Sequence, residues 1–149
     1  MTRNKKLTLL TALYLAQGLP YGFFTQALPV LLRSANLSLP QIGLANLLTL
    51  PWALKFIWAP SVDRYHFKNT GLRKSWLVPL QLLSIVLYSA LGFITLGAGE
   101  LSLVLGAFLF TNLLAASQDV ATDGLAVDIL LPSERGWANG IQVRCHDFF

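Results

Sequence analysis

Charge, sulfur and histidine are all scarce in this chain. One cysteine, Cys145, stands among 149 residues, which excludes an intrachain disulfide framework. The two histidines, His66 and His146, lie far apart in the sequence and offer no metal-ligand spacing, so no metal and no cofactor is expected. Only 12% of the residues are charged while 54% are apolar, against about 25% charged in an ordinary soluble domain. In water that composition would leave broad apolar patches uncovered, and the bilayer is the natural solvent instead. The net charge of +4 does not indicate nucleic acid, because the basic residues sit in short clusters between apolar runs rather than along one face interleaved with aromatics. A nucleophile paired with a base is also lacking. His66 in a basic loop and Cys145 near the end supply neither, so no enzyme is expected.

What is present is a series of long apolar runs. The first, residues 7–32, carries no formal charge; as a helix it is ~39 Å long, against a hydrocarbon core of about 30 Å. The preceding Thr2-Arg3-Asn4-Lys5-Lys6 imitates the start of a signal peptide. The apolar run, however, continues far past a signal peptide's core and no A-x-A site closes it, so an uncleaved helix is expected. The second run, residues 39–60, opens on Ser38-Leu39-Pro40-Gln41, with Ser38 as N-cap, Gln41 closing a capping box and Pro40 in the first turn. Pro51 should kink this helix, and Lys55 places a charge near its far end. The third span covers residues 76–98. After Gly97-Ala98-Gly99-Glu100 a fourth helical pattern runs over residues 101–131, until Pro132 stops it. At ~46 Å the fourth helix should project past the hydrocarbon. A partial fifth helix, residues 137–143, is too short to cross, and residues 144–149 form a tail. The fold class is thus all-α integral membrane, four transmembrane helices plus a partial fifth. No low-complexity tract and no fixed-period repeat interrupts it.

Orientation follows from the basic residues. Arg3, Lys5 and Lys6 at the amino terminus, with Arg64, Lys68, Arg73 and Lys74 between spans two and three, stand against Arg33 alone on the other side. This places the amino terminus in the cytoplasm.

Three aspartates in the fourth span, Asp119, Asp123 and Asp128, are costly to expose to lipid, at roughly 2.5–3.5 kcal/mol each near a helix centre. Asp119 and Asp123 are one turn apart and share a face; Asp128 is rotated away and nearer the cytoplasmic end. Measured from the helix ends, Lys55, Asp119 and Asp123 lie in one leaflet. Either Lys55 snorkels to the headgroups and the aspartates lie outside the hydrocarbon, or Lys55 neutralises Asp119 or Asp123 inside the bundle. The second arrangement would line a polar cavity. Gln17, Tyr21 and Gln26 are candidate linings of a solute path by their polarity. Gly18, Pro20, Gly22 and Pro51 are either bending points or close-packing positions. In the connecting loop, Asp63-Arg64 ends one helix, Gly71 makes a turn, and Arg73-Lys74 opens the next, a pattern suited to docking a tight loop on helix ends.

That loop resembles the signature between helices two and three of the major facilitator superfamily, with Ala59 where glycine is common. More narrowly, Gln17-Gly18-Leu19-Pro20, Leu54-Lys55-Phe56-Ile57-Trp58-Ala59-Pro60 with Asp63-Arg64, Arg73-Lys74-Ser75-Trp76, Ala116-Ser117-Gln118-Asp119-Val120-Ala121-Thr122-Asp123-Gly124 and Glu134-Arg135-Gly136 resemble the AmpG-type muropeptide permease and acetyl-CoA transporter family. Thr122-Asp123-Gly124-Leu125-Ala126-Val127 and Asn139-Gly140-Ile141-Gln142-Val143 lean toward its RhtX/FptX-type siderophore permease branch. The resemblance implies about twelve helices in two halves with a midplane site. This chain would then form part of the N-terminal six-helix half. It further implies proton-coupled import of a bulky polar solute, such as a siderophore or muropeptide, across the inner membrane. Asp119 and Asp123 would carry the proton and Lys55 would modulate them. Asp63, Arg64, Gly71, Arg73, Lys74 and Asp128 would form a cytoplasmic latch. The expected partners are the lipid bilayer and, in a full-length parent, the solute and protons. The resemblance is expected to stop after Val143, marking a truncated fragment without transport of its own. The alternative is a four-helix membrane scaffold or oligomerising protein.

Overall fold

The computed structural model describes residues 2–34, 43, 46–65, 71–93 and 101–147, and every regular element among them is helical. Helix α1 (Arg3–Ser34) and helix α4 (Leu72–Leu91) are long and apolar enough to cross a membrane. Two short helices, α2 (Leu50–Leu54) and α3 (Ala59–Arg64), lie between them. Helix α5 (Leu101–Ile129) runs for 29 residues, and α6 (Arg135–Asp147) follows a single 3-10 turn over Pro132–Glu134.

Helix α1 starts one turn before the predicted apolar run and continues to Ser34, with one irregularity, a π turn at Phe23–Ala27. The cause is Pro29, which has no N–H to give and whose ring crowds the carbonyl one turn back. Widening the preceding turn relieves that crowding. The N–H of Leu28 reaches the Phe23 carbonyl, and the Thr25 hydroxyl donates to the Tyr21 carbonyl at 2.9 Å.

The second predicted span is the largest departure. In place of one helix kinked at Pro51, the described part runs as a 3-10 turn (Asn46–Thr49), α2, a second 3-10 turn (Lys55–Ile57) and α3. Pro51 does not kink a helix because it sits in the first turn of α2, where a missing N–H costs nothing. The break falls later, at Lys55 and Trp58, in front of Pro60 in the first turn of α3. The capping box at Ser38, Pro40 and Gln41 lies outside the described residues.

Helix α4 begins at Leu72, earlier than expected, because Gly71 adopts an extended N-cap conformation (φ −54°, ψ 151°) directly before it. It ends at Leu91, short of the predicted limit of residue 98, with the Gly92 N–H bonded to the Tyr88 and Ala90 carbonyls. Helix α5 closes two residues before its predicted end, at Ile129. The predicted division into a short helix and a separate tail at residue 144 is not seen: α6 runs to Asp147 and buries Cys145 on one face.

α5 is the axis of the fold. Leu10 and Tyr14 of α1 pack with Ala126 and Leu130 at its end and with Ala138 and Cys145 of α6. Leu13, Val62, Leu77 and Ala121 bring α1, α3, α4 and α5 into one cluster, and Leu28, Leu32 and Leu48 form a third toward the opposite end. The outer face of α4 is apolar and uncovered: Val78, Leu82 and Val86 are all exposed. A row of that kind belongs against lipid rather than water.

Candidate functional site

The inner band of α5 is polar where an apolar seam would be expected. Thr111, Asn112, Ser117, Gln118, Asp119 and Thr122 are all buried. The hydroxyls of Thr111, Ser117 and Thr122 are satisfied within the helix, donating to the carbonyls of Phe108, Leu113 and Gln118 at 2.7–2.9 Å. Asn112 accepts from the Trp52 indole N–H at 3.2 Å. Those contacts account for the small polar groups and leave the aspartates and the glutamines.

Lys55 and Asp119 form an ion pair, with the lysine Nζ on Asp119 Oδ2. The carboxylate is 1% exposed and the lysine 34%, so the anion is deep while its partner keeps one side open. The second oxygen, Asp119 Oδ1, is buried without a hydrogen-bond partner. The irregular backbone explains why lysine reaches this point. The 3-10 turn at Lys55–Ile57 carries the ammonium toward α5, and Nζ lies 5.5 Å from the centre of the Trp52 ring.

Asp123, one turn on, is held separately. Its Oδ1 accepts from the Tyr14 hydroxyl at 2.9 Å and from Gln142 Nε2 at 3.1 Å. Of the two aspartates considered for Lys55, Asp119 is therefore the one it meets, and Asp123 joins α1, α5 and α6 through uncharged donors. Neither Tyr14 nor Gln142 was recognisable as a site residue in the sequence; the only signal was that Tyr14 and Gln17 share a face of α1 one turn apart.

The charged loop closes one end of the bundle. Arg73 bridges two acids, with Nη1 on Asp63 Oδ1 and Nε 2.7 Å from Asp128 Oδ2. Gly124 sits under this guanidinium: a Cβ there would overlap the Arg73 side chain. Lys6 and Glu134 approach to 3.6 Å at the same end. Of the six expected latch residues, the structure joins Asp63, Arg73 and Asp128, while Gly71 caps α4. Arg64 and Lys74 are exposed and outside the bridge.

A cavity of about 760 Å³ lies between α1, α4 and α5, lined in part by Gln17 and Gln118. Both amide atoms of Gln17 and the Nε2 of Gln118 are buried and without partners, a cost of ~1–3 kcal/mol per group. The other expected path residues lie elsewhere. Tyr21 stacks edge-on against Trp52 with ring centres 5.3 Å apart, and Gln26 is exposed in the π turn.

The family model described as acetyl-coenzyme A transporter 1 matches residues 6–146, past Val143, where the resemblance was expected to end. An uncharacterized membrane protein of Saccharomyces cerevisiae is 35% identical over 159 aligned residues, covering 90% of this chain and 28% of that protein. The anhydromuropeptide permease of Escherichia coli K12 is 32% identical over 135 residues, covering 91% of this chain and 27% of the permease. The chain thus spans under a third of the length of these relatives. With nearly its whole length matched, the chain belongs to the acetyl-coenzyme A transporter family, a family of membrane transporters.

Proposed function

We propose that these helices serve a secondary transporter of the major-facilitator plan, as part of its N-terminal six-helix half, importing a bulky polar solute with protons across the inner membrane. The amino terminus lies in the cytoplasm, at the end where Lys6 meets Glu134 and Arg73 bridges Asp63 and Asp128. The observation that carries this reading is the Lys55–Asp119 pair, a carboxylate almost fully buried and compensated by a lysine that retains an open side. Intramembrane ionisable pairs of this kind mark ion and substrate paths.

The chemistry follows from the two oxygens of Asp119. While Oδ2 holds Lys55, the net charge of the pair is zero and the buried carboxylate is tolerated. A proton taken up by the carboxyl removes its charge and releases the ammonium, which can then meet an anionic group of the solute. Loss of that proton restores the pair and expels the solute's counter-charge. Asp123, fixed by Tyr14 and Gln142, keeps α1, α5 and α6 in register while the pair switches.

The related permease suggests muropeptides as the first solutes to test, with siderophores next. Residues 1–149 would replace the corresponding segment of the Escherichia coli permease in cells lacking it, and uptake of labelled anhydromuropeptide would be followed. Accumulation that collapses with a protonophore, and that Lys55→Met and Asp119→Asn each abolish, supports the reading. Accumulation unchanged by both substitutions would refute it.

A further inference from the structure

The pair of unpartnered glutamines is not used by the charged centre. Gln118 and Asp119 are successive residues of α5, so their side chains leave the helix about 100° apart. Asp119 goes to Lys55 while Gln118 lines the cavity between α1, α4 and α5. Each of the three helices gives that cavity one carboxamide: Gln17 from α1, Gln81 from α4 and Gln118 from α5. Gln17 is 1% exposed and Gln118 4%, and both have amide atoms with no hydrogen-bond partner. Apart from the Ser84 hydroxyl, the remaining wall is largely apolar and aromatic, including Phe23, Tyr88 and Phe108, with Phe23 and Phe108 edge-to-face at 5.7 Å. No charged side chain lines it among the described residues.

We propose that this cavity is a binding subsite for an uncharged group that both donates and accepts hydrogen bonds, a secondary amide carried on an apolar body. Its volume of about 760 Å³ lies within the roughly 300–1,000 Å³ of small-molecule sites, which are mostly apolar with a few convergent polar groups. A carboxamide presents N–H and C=O side by side, and a secondary amide returns the complementary pair. A carboxylate or ammonium would enter a wall with no counter-charge and pay its desolvation uncompensated. The subsite deepens the transport reading by naming the chemistry of one part of the solute, and it rests on that reading only for its physiological use.

The test is binding rather than uptake, so the two ideas fail separately. The 149-residue chain in lipid nanodiscs would be titrated with N-butylacetamide, butylammonium and butyrate by saturation-transfer NMR, with empty nanodiscs as the blank. N-butylacetamide is expected to bind above the blank and the two ions are not. Gln17→Leu and Gln118→Leu, each checked for retained helicity, should weaken the amide about tenfold, the loss of one buried hydrogen bond. The half-buried Gln81→Leu, the variant least able to disturb folding, should weaken it severalfold. Equal binding of ions and amide, binding no stronger than to empty nanodiscs, or unchanged affinity in all three variants would overturn the subsite.

Discussion

The ammonium of Lys55 rests on the carboxylate of Asp119, 64 positions further along the chain, and it is the charged partner of the most deeply buried acid in the fold among the described residues. Removing the lysine leaves that anion uncompensated. Lys55→Met should therefore destabilise the chain by about 3 kcal/mol, the low end for a broken buried pair because Lys55 is one-third exposed. Asp119→Asn added to it should return most of the loss. Reversible unfolding in mixed micelles measures the cycle, and simply additive losses would mean the pair contributes nothing.

Asp123 is held by a hydroxyl and an amide, so its anchors are individually modest. Tyr14→Phe and Gln142→Leu should each cost about 1 kcal/mol, near the value for side-chain hydrogen bonds inside membrane bundles. Both should lose their effect once Asp123 is replaced by alanine. The same unfolding assay applied to the three backgrounds checks this.

Gly124 is occupied from outside by the Arg73 guanidinium. Gly124→Ala should expel that side chain from its position between Asp63 and Asp128, at about 1 kcal/mol, since both acids are half exposed. The variant should behave like Arg73→Gln, and combining the two should cost little more than either. Additive costs would show that the glycine acts on something other than the bridge.

Cys145 is 5% exposed on the buried face of α6, and burial pushes its thiol above the ordinary range. N-ethylmaleimide should label it slowly in the folded chain at neutral pH and readily after denaturation. Rapid, complete labelling of the native protein would mean that α6 does not stay docked on Leu10 and Tyr14.

Much of this architecture is readable before any coordinates. The first and fourth helices follow from runs of apolar residues longer than the hydrocarbon is thick, and their predicted ends fall within a few residues of Arg3–Ser34 and Leu101–Ile129. Depth, measured inward from one predicted membrane face, allows Lys55 to meet an aspartate but equally allows it to reach the headgroups, and the structure shows the meeting. Which aspartate it meets is not readable, since Asp119 and Asp123 share a helix face and only the 3-10 turn at Lys55–Ile57 decides. Local rules also misplace the break in the second span. Proline at position 51 reads as a kink in a long helix, yet it is harmless in the first turn of a short one. The Tyr14–Asp123–Gln142 cluster leaves no trace in spacing, because partners 109 positions apart are joined only by the packing of α1 and α6 on α5.

The coupling itself is tested most directly by carrying Lys55→Met and Asp119→Asn together into the permease chimera and imposing an inward proton gradient on vesicles. Without a titrating carboxylate or a lysine to release, the double variant should still equilibrate solute but should not accumulate it above the outside concentration, whatever the gradient. Accumulation driven by the proton gradient in that variant, at the level of the unsubstituted chain, would contradict the assignment of Lys55 and Asp119 as the switch.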